Sequence, residues 1–278
     1  MKVVLSKFAG ACYGVQRALD LAETAIMEGE PAVTLGPIIH NPKVVNHLAE
    51  QGIRSVESLD EASNQIVIVR SHGVTPAVME DIEARGLEVI DATCPHVARA
   101  QKAAADLAKQ GCLVVVVGEE GHPEVEGLTA YARKEGARAI VAATPQDLPD
   151  GLYEPIGVVV QTTQTREALD AVVVALEEMG LKPQVSNTIC FATRQRQDAA
   201  AALAGTVDAM IIIGGKNSSN TTRLFEICQS VAPAAYHIED IEDIDPAWFA
   251  GCETVGVSAG ASTPENQIKE LITYLENL

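Results

Sequence analysis

This 278-residue chain contains six cysteines and six histidines, and their settings divide them by the chemistry they could do. Cys12 ("SKFAGACYGV"), Cys94 ("VIDATCPHV") and Cys190 ("VSNTICFAT") stand at strand-to-helix or loop-to-helix junctions. There helix N-termini stabilise thiolates and hold ligands. Cys112 opens the apolar run "CLVVVV", Cys228 lies within the helical "RLFEICQSV", and Cys252 precedes the strand "ETVGV". Those three read as packing residues. Three thiolates are too few for a closed structural zinc site unless a histidine joins them. They suit an iron–sulfur cluster that keeps one iron open to a substrate. The spacing is dispersed, with no C-x-x-C, so buried structural cysteine stands as the alternative.

His40 ("PIIHNP"), His72 ("VRSHGV") and His122 ("GEEGHPE") each follow an apolar run, whereas His47, His96 and His237 read as structural or surface residues. Three imidazoles in equivalent loops fit phosphate binding or a zinc site equally well. "GGKNSSNTTRL" places Ser218, Ser219 and Asn220 just before a helix, where they either cap it or present donors to an anion. In "GASTPE", Ser262 and Glu265 have capping-box spacing with Pro264 early in the helix. Glu124, on a turn two residues after His122, is either a proton donor held in an apolar pocket or a first-turn glutamate favoured by the helix dipole. Glu126 lies further into that helix. No G-x-x-x-x-G-K-[ST] occurs, which argues against an ordinary nucleoside-triphosphate site.

The elements that must position these residues alternate β-branched runs with helical patterns, the signature of parallel sheets covered by helices. "PAVTLG", "QIVIVR", "LVVVVG", "GVVVQ", "AMIIIGG" and "TVGVSAG" read as strands. The loops after them carry, in order, His40, His72, His122, Thr162, Ser218 and Ser262. "GVQRALDLAETAIMEGE" reads as a helix burying Val15, Ala18, Leu19, Ala22, Ala25 and Ile26, with Gly29 near its stop. Separations of 82 and 96 residues between the junction cysteines match one small α/β unit each. The chain is therefore expected to be α/β, with three similar units at 13–94, 95–189 and 190–278. Ligands of such sheets bind beyond the strand carboxyl ends, so units facing a common axis would bring thiols and polar loops into one site.

With 20 basic and 38 acidic side chains the formal charge is −18, which disfavours nucleic acid and anionic membrane as partners. The acidic runs "LEEMG" and "HIEDIEDID" read as solvated helix faces. "MKVVLSKFAG" has two lysines but no apolar run long enough for a secretory signal, and no stretch approaches a membrane span. A cytoplasmic protein with reduced thiols is expected.

"GACYGVQRA", "GPIIHNP", "SHGV", "DATCP", "GHPEVEG", "QTT", "TICFATRQRQ", "KNSSNTTRL" and "SAGAS" occur in the order found in the 4-hydroxy-3-methylbut-2-enyl diphosphate reductase family, which the chain resembles from Cys12 to Ser262. One departure is Ala11, where many members have an aromatic residue. The resemblance implies three mostly parallel α/β units arranged pseudo-threefold around a central 4Fe-4S cluster, with the N-terminal strand (1–12) joining the last unit. It implies that Cys12, Cys94 and Cys190 hold the cluster and that one iron stays open. It further implies that His40, His72, His122, Thr162, Ser218, Ser219, Asn220 and Ser262 contact an allylic diphosphate substrate. Glu124 would be the proton donor, linked by Thr162 to the substrate alcohol. The implied reaction is a reductive dehydroxylation that needs an external electron donor such as ferredoxin or flavodoxin. A zinc-dependent hydrolase with Glu124 as base, or a non-enzymatic module binding a phosphorylated ligand, are the alternative readings.

Overall fold

The computed structural model of the chain describes residues 1–62 and 65–278. It opens with β1 (Lys2–Leu5) and α1 (Tyr13–Glu28). Next come β2 (Ala32–Leu35), α2 (Pro42–Glu50), β3 (Arg54–Val56), β4 (Ile66–Val69), α3 (Pro76–Ala84) and β5 (Val89–Asp91). The strands β2 to β5 form a parallel sheet of order β3-β2-β4-β5. After α4 (Pro95–Lys109), the chain forms β6 (Leu113–Val117), α5 (Pro123–Lys134), β7 (Ala139–Ala142), β8 (Ile156–Val160), α6 (Arg166–Glu178) and β9 (Gln184–Ser186). Their sheet has order β7-β6-β8-β9 and is again parallel. Then follow α7 (Phe191–Ala204), β10 (Ala209–Ile213), α8 (Ser219–Val231), β11 (Ala235–Ile238), β12 (Thr254–Ala259) and α9 (Glu265–Glu276). The third sheet, β11-β10-β12-β1, repeats the same order, but its last edge strand comes from the N-terminus.

All six apolar runs are central strands, as their composition predicts. β4, β6, β8 and β10 are buried at every position, because parallel sheets are covered on both faces and leave no strand side in water. Burying each Val or Ile contributes about 1.5–3 kcal/mol, enough to offset the ~1–2 kcal/mol lost in ordering its backbone. α1 buries Val15, Ala18, Leu19, Ala22 and Ala25, with Ile26 half-buried at the margin of that stripe. Proline at the first helical position starts α2, α3, α4 and α5, where its missing N–H leaves no intrahelical bond unmade.

Two compact units result. One contains Met1–Gln16, His40–Val44 and Phe191–Leu278, and therefore the third sheet. The other contains Arg17–Ile39 and Val45–Cys190, and therefore the first two sheets. Among the described residues no helix is long and apolar enough to cross a membrane. Glu177 and Glu178 of "LEEMG" do lie exposed at the end of α6. The run "HIEDIEDID" is not a helix face: it leaves β11 and passes through 3-10 turns at Ile241–Asp243 and Pro246–Phe249, which Asp240 and Asp245 cap. A 3.6-residue reading fails there because short polar side chains satisfy local backbone N–H groups in turns instead.

Candidate active site

Each junction cysteine is anchored by one backbone hydrogen bond of the same kind. The N–H of Cys94 donates to the Ser71 carbonyl (3.0 Å), that of Cys190 to Thr162 (3.0 Å), and that of Cys12 to Ala261 (3.1 Å). Each acceptor is the second residue beyond the end of β4, β8 or β12, so the three sheets position their cysteine alike. The acceptors share no side-chain type because only a carbonyl is needed. The other central strands, β2, β6 and β10, place His40, His122 and Ser218 each five residues beyond the strand end. By the same register His72 and Ser262 align with Thr163, so Thr162 stands one position earlier than the loop series predicts.

In the unit built on the first two sheets, Pro123 starts α5 and His122 caps it, accepting the Glu124 N–H on Nδ1 at 3.1 Å. A neutral ring that accepts on Nδ1 carries its proton on Nε2, as a donor suited to an anion. The His72 and His122 rings meet edge to face with centroids 5.6 Å apart. Glu124 lies in the first turn of α5, not on a preceding turn, and its residue is 1% exposed. Its carboxylate accepts the Thr162 N–H (2.7 Å) and hydroxyl (2.8 Å). Burial raises its pKa from 4.5 to about 7, although both Thr162 hydrogen bonds pull it down. It can thus hold a proton near neutrality, whereas Glu126 faces solvent from the same helix.

In the other unit, Ser218 caps α8 by accepting the Thr221 N–H, with Ser219 and Asn220 buried in its first turn. The Asn220 amide is 4% exposed, and neither its nitrogen nor its oxygen has a partner among the described residues. A buried amide left so is costly unless a ligand pairs with it. The His40 carbonyl accepts the Ser262 hydroxyl (3.0 Å), and Asn41 Nδ2 donates to the Ser262 carbonyl (2.9 Å). Ser262 therefore does not form the capping box expected with Glu265; Pro264 is the residue before α9, with no side-chain cap. The hydroxyl bonds a distant strand-end loop, a contact that spacing along the chain does not encode. Gly215 makes room for that loop, since a Cβ there would lie 2.7 Å from the His40 carbonyl oxygen.

None of the six cysteines is in a disulfide. Cys12, Cys94 and Cys190 are half-buried. Cys112 and Cys228 are buried, and desolvation pushes their thiols up, that of Cys228 to about 12. These packing thiols are poor ligands. Cys252 packs half-buried against the third sheet's core. His237 bonds the Gly214 carbonyl and His47 is exposed on α2, in keeping with structural or surface roles. Sequence reading missed Asn41, Thr188 and Arg196. Thr188 lies two residues before Cys190 and bonds the Val160 backbone N–H (3.0 Å), while Arg196 Nη2 donates to the Gly10 carbonyl (2.7 Å) beside Cys12. The Asn-Pro pair of "HNP" was a legible capping signal for Asn41; nothing local marks the other two.

A carboxyl poised near pH 7 beside imidazole donors and helix N-termini is the equipment of an enzyme acting on an anion, on an α/β scaffold that works at strand carboxyl ends. Residues 3–276 match the family model described as LytB protein, and the chain belongs to that family. It is 48% identical over 277 residues to the 4-hydroxy-3-methylbut-2-enyl diphosphate reductase of Geobacter sulfurreducens, covering 99% of this chain and 97% of that one. It is 43% identical over 278 residues to the enzyme of the same name from Aquifex aeolicus, covering 99% of this chain and 96% of that one. Among solved structures, (E)-4-hydroxy-3-methyl-but-2-enyl diphosphate reductase, the terminal enzyme of the non-mevalonate pathway, matches with a TM-score of 0.73 at 43% identity, covering 100% of both chains. The Plasmodium falciparum reductase matches with a TM-score of 0.92 at 26% identity, over 99% of this chain and 88% of that one.

Proposed function

We propose that this chain reduces 4-hydroxy-3-methylbut-2-enyl diphosphate to isopentenyl and dimethylallyl diphosphate, the last step of the non-mevalonate isoprenoid pathway. Two electrons and two protons enter, and the allylic hydroxyl leaves as water. Cys12, Cys94 and Cys190 would hold a 4Fe-4S cluster with one open iron; three half-buried thiols outside any disulfide, on anchored junctions, fit that donor set. When bound, the cluster supplies single electrons and Lewis acidity at the reacting carbon–oxygen bond. Glu124 donates the proton that turns the hydroxyl into water, with the Thr162 hydroxyl relaying between carboxyl and alcohol. His40, His72, His122, Ser218, Ser219, Asn220 and Ser262 hold the diphosphate. None of them is a lysine or arginine, and the N-termini of α5 and α8 add partial positive charge.

The shared strand order of the three sheets supports reading the chain as units 13–94, 95–189 and 190–278, the last completed by residues 1–12. Electrons come from a ferredoxin- or flavodoxin-type carrier, and six cysteines outside any disulfide support a reducing, cytoplasmic setting. The observation that carries the proposal is Glu124, a buried carboxyl raised to about 7 and hydrogen-bonded to Thr162. The test is anaerobic turnover of the diphosphate substrate by iron-loaded protein with an artificial one-electron reductant. Both isomeric diphosphates and a brown protein with bound iron and sulfide are expected; a colourless zinc protein without reductive turnover would overturn the reading.

A further inference from the structure

We propose that the loop between β1 and α1, together with the first turn of α7, docks the protein that delivers the electrons, and that this partner is a small acidic one-electron carrier. The inference rests on the reductase reading above. In a chain with only 4% aromatic residues, the exposed aromatics among the described residues are Phe8, Tyr13, Tyr153 and Phe191. Three of these flank proposed cluster ligands. Tyr13 (69% exposed) directly follows Cys12, Phe191 (60%) directly follows Cys190, and Phe8 (53%) precedes Cys12 by four residues. Among the described residues Phe8 is also the non-glycine residue with a left-handed backbone, at φ 62°. That conformation is unfavourable for a bulky side chain, and here it leaves more than half of the residue exposed to water.

The two segments are joined: Arg196 of α7 is buried and donates to the Gly10 carbonyl at 2.7 Å. Arg194, one turn after Phe191, places its guanidinium 5.7 Å from that ring's centroid. Charge singles out the same place. Residues 1–19 and 179–197 contain no Asp or Glu, in a chain that has 38. Lys7 and Arg194 are exposed there. Glu265 of α9, the helix whose Ile268 lies against Gly10, is paired with Lys269. Exposed aromatics with a basic rim are complementary to an acidic partner, whereas in a twofold contact with a second copy the same basic residues would face each other. A carrier seated on it abuts residues covalently next to two of the proposed ligands.

The experiment uses an acidic flavodoxin as probe, against methyl viologen as a reductant that needs no docking. In iron-loaded Arg194→Glu and Lys7→Glu, the flavodoxin KM should rise about tenfold, and the calorimetric Kd for flavodoxin should weaken in parallel. Viologen-driven turnover should be unchanged. The wild-type KM for flavodoxin should climb with ionic strength, and the charge reversals should flatten that climb. Phe191→Ser should weaken flavodoxin binding without altering its salt dependence. An unchanged flavodoxin Kd in both charge reversals overturns the docking surface, whatever their iron content, because the titration does not need turnover. Failure of viologen to drive wild-type turnover instead overturns the reductase reading, and the titration then decides the surface by itself.

Discussion

Glu124 works because burial outweighs the hydrogen bonds that oppose it. Burial disfavours its charge, the two Thr162 hydrogen bonds favour it, and the pKa settles at about 7. Glu124→Gln keeps the shape but cannot deliver a proton. Single-turnover product formation by pre-reduced, iron-loaded protein should fall ~10²–10⁴-fold, while Glu126→Gln should turn over like wild type. The same shift makes a stability prediction. The folded pKa lies above the unfolded value, so Glu124's contribution is fully present below about pH 4.5 and is lost as pH rises through about 7. Glu124→Gln should flatten the fall in denaturation midpoint over that window, a difference on the order of 3 kcal/mol. Thr162→Val removes a hydrogen bond that lowers the pKa, so the limb of the pH–rate profile belonging to this acid should move to higher pH. A limb fixed in place would detach Thr162 from the acid.

At the scale of elements, strand-end loops and helix starts supply the candidate anion donors. Asn220 sits in the first turn of α8 with its amide unpaired among the described residues, and Gly215 lets the His40 loop approach. Asn220→Ala should weaken inorganic diphosphate binding about ten- to hundredfold, as loss of a donor to a charged acceptor worth ~1.5–3 kcal/mol. Gly215→Ala puts a methyl group against a backbone oxygen that cannot swing away, so it should weaken the same binding without touching any donor. Calorimetric titration with diphosphate checks both; wild-type affinity in both variants would separate these loops from the anion. The strands were legible from their β-branched runs. The contact Ser262 makes was not, because its hydroxyl bonds the His40 carbonyl 222 residues away along the chain.

For the whole molecule, the division among the cysteines is the sharpest expectation. Cys12→Ser, Cys94→Ser and Cys190→Ser should each lose most iron and sulfide, since a hard hydroxyl is a poor ligand for cluster iron. Cys112→Ser, Cys228→Ser and Cys252→Ser should keep iron, with a packing penalty largest at buried Cys112 and Cys228. Iron and sulfide analysis of the six anaerobically purified variants decides it, and equal loss across all six would sink the assignment. Closing the third sheet needs β1, which pairs in parallel with β12 from Lys2↔Thr254 to Leu5↔Val257 and sets the loop that carries Cys12.

The sequence by itself determined the α/β class, the six central strands and the junction setting of Cys12, Cys94 and Cys190. Hydrophobic periodicity, β-branching and Gly/Pro punctuation are local, and so are the propensities they express. Only the tertiary structure decided that Glu124 is desolvated, that His40 belongs to the compact unit of the third sheet, and that the "HIEDIEDID" run is capped turns. It also decided that each junction cysteine hangs on a strand-end carbonyl. Every backbone offers that carbonyl, so no residue type announces it. Burial and long-range pairing depend on what the rest of the chain brings to a position, and a single residue's identity does not carry that information.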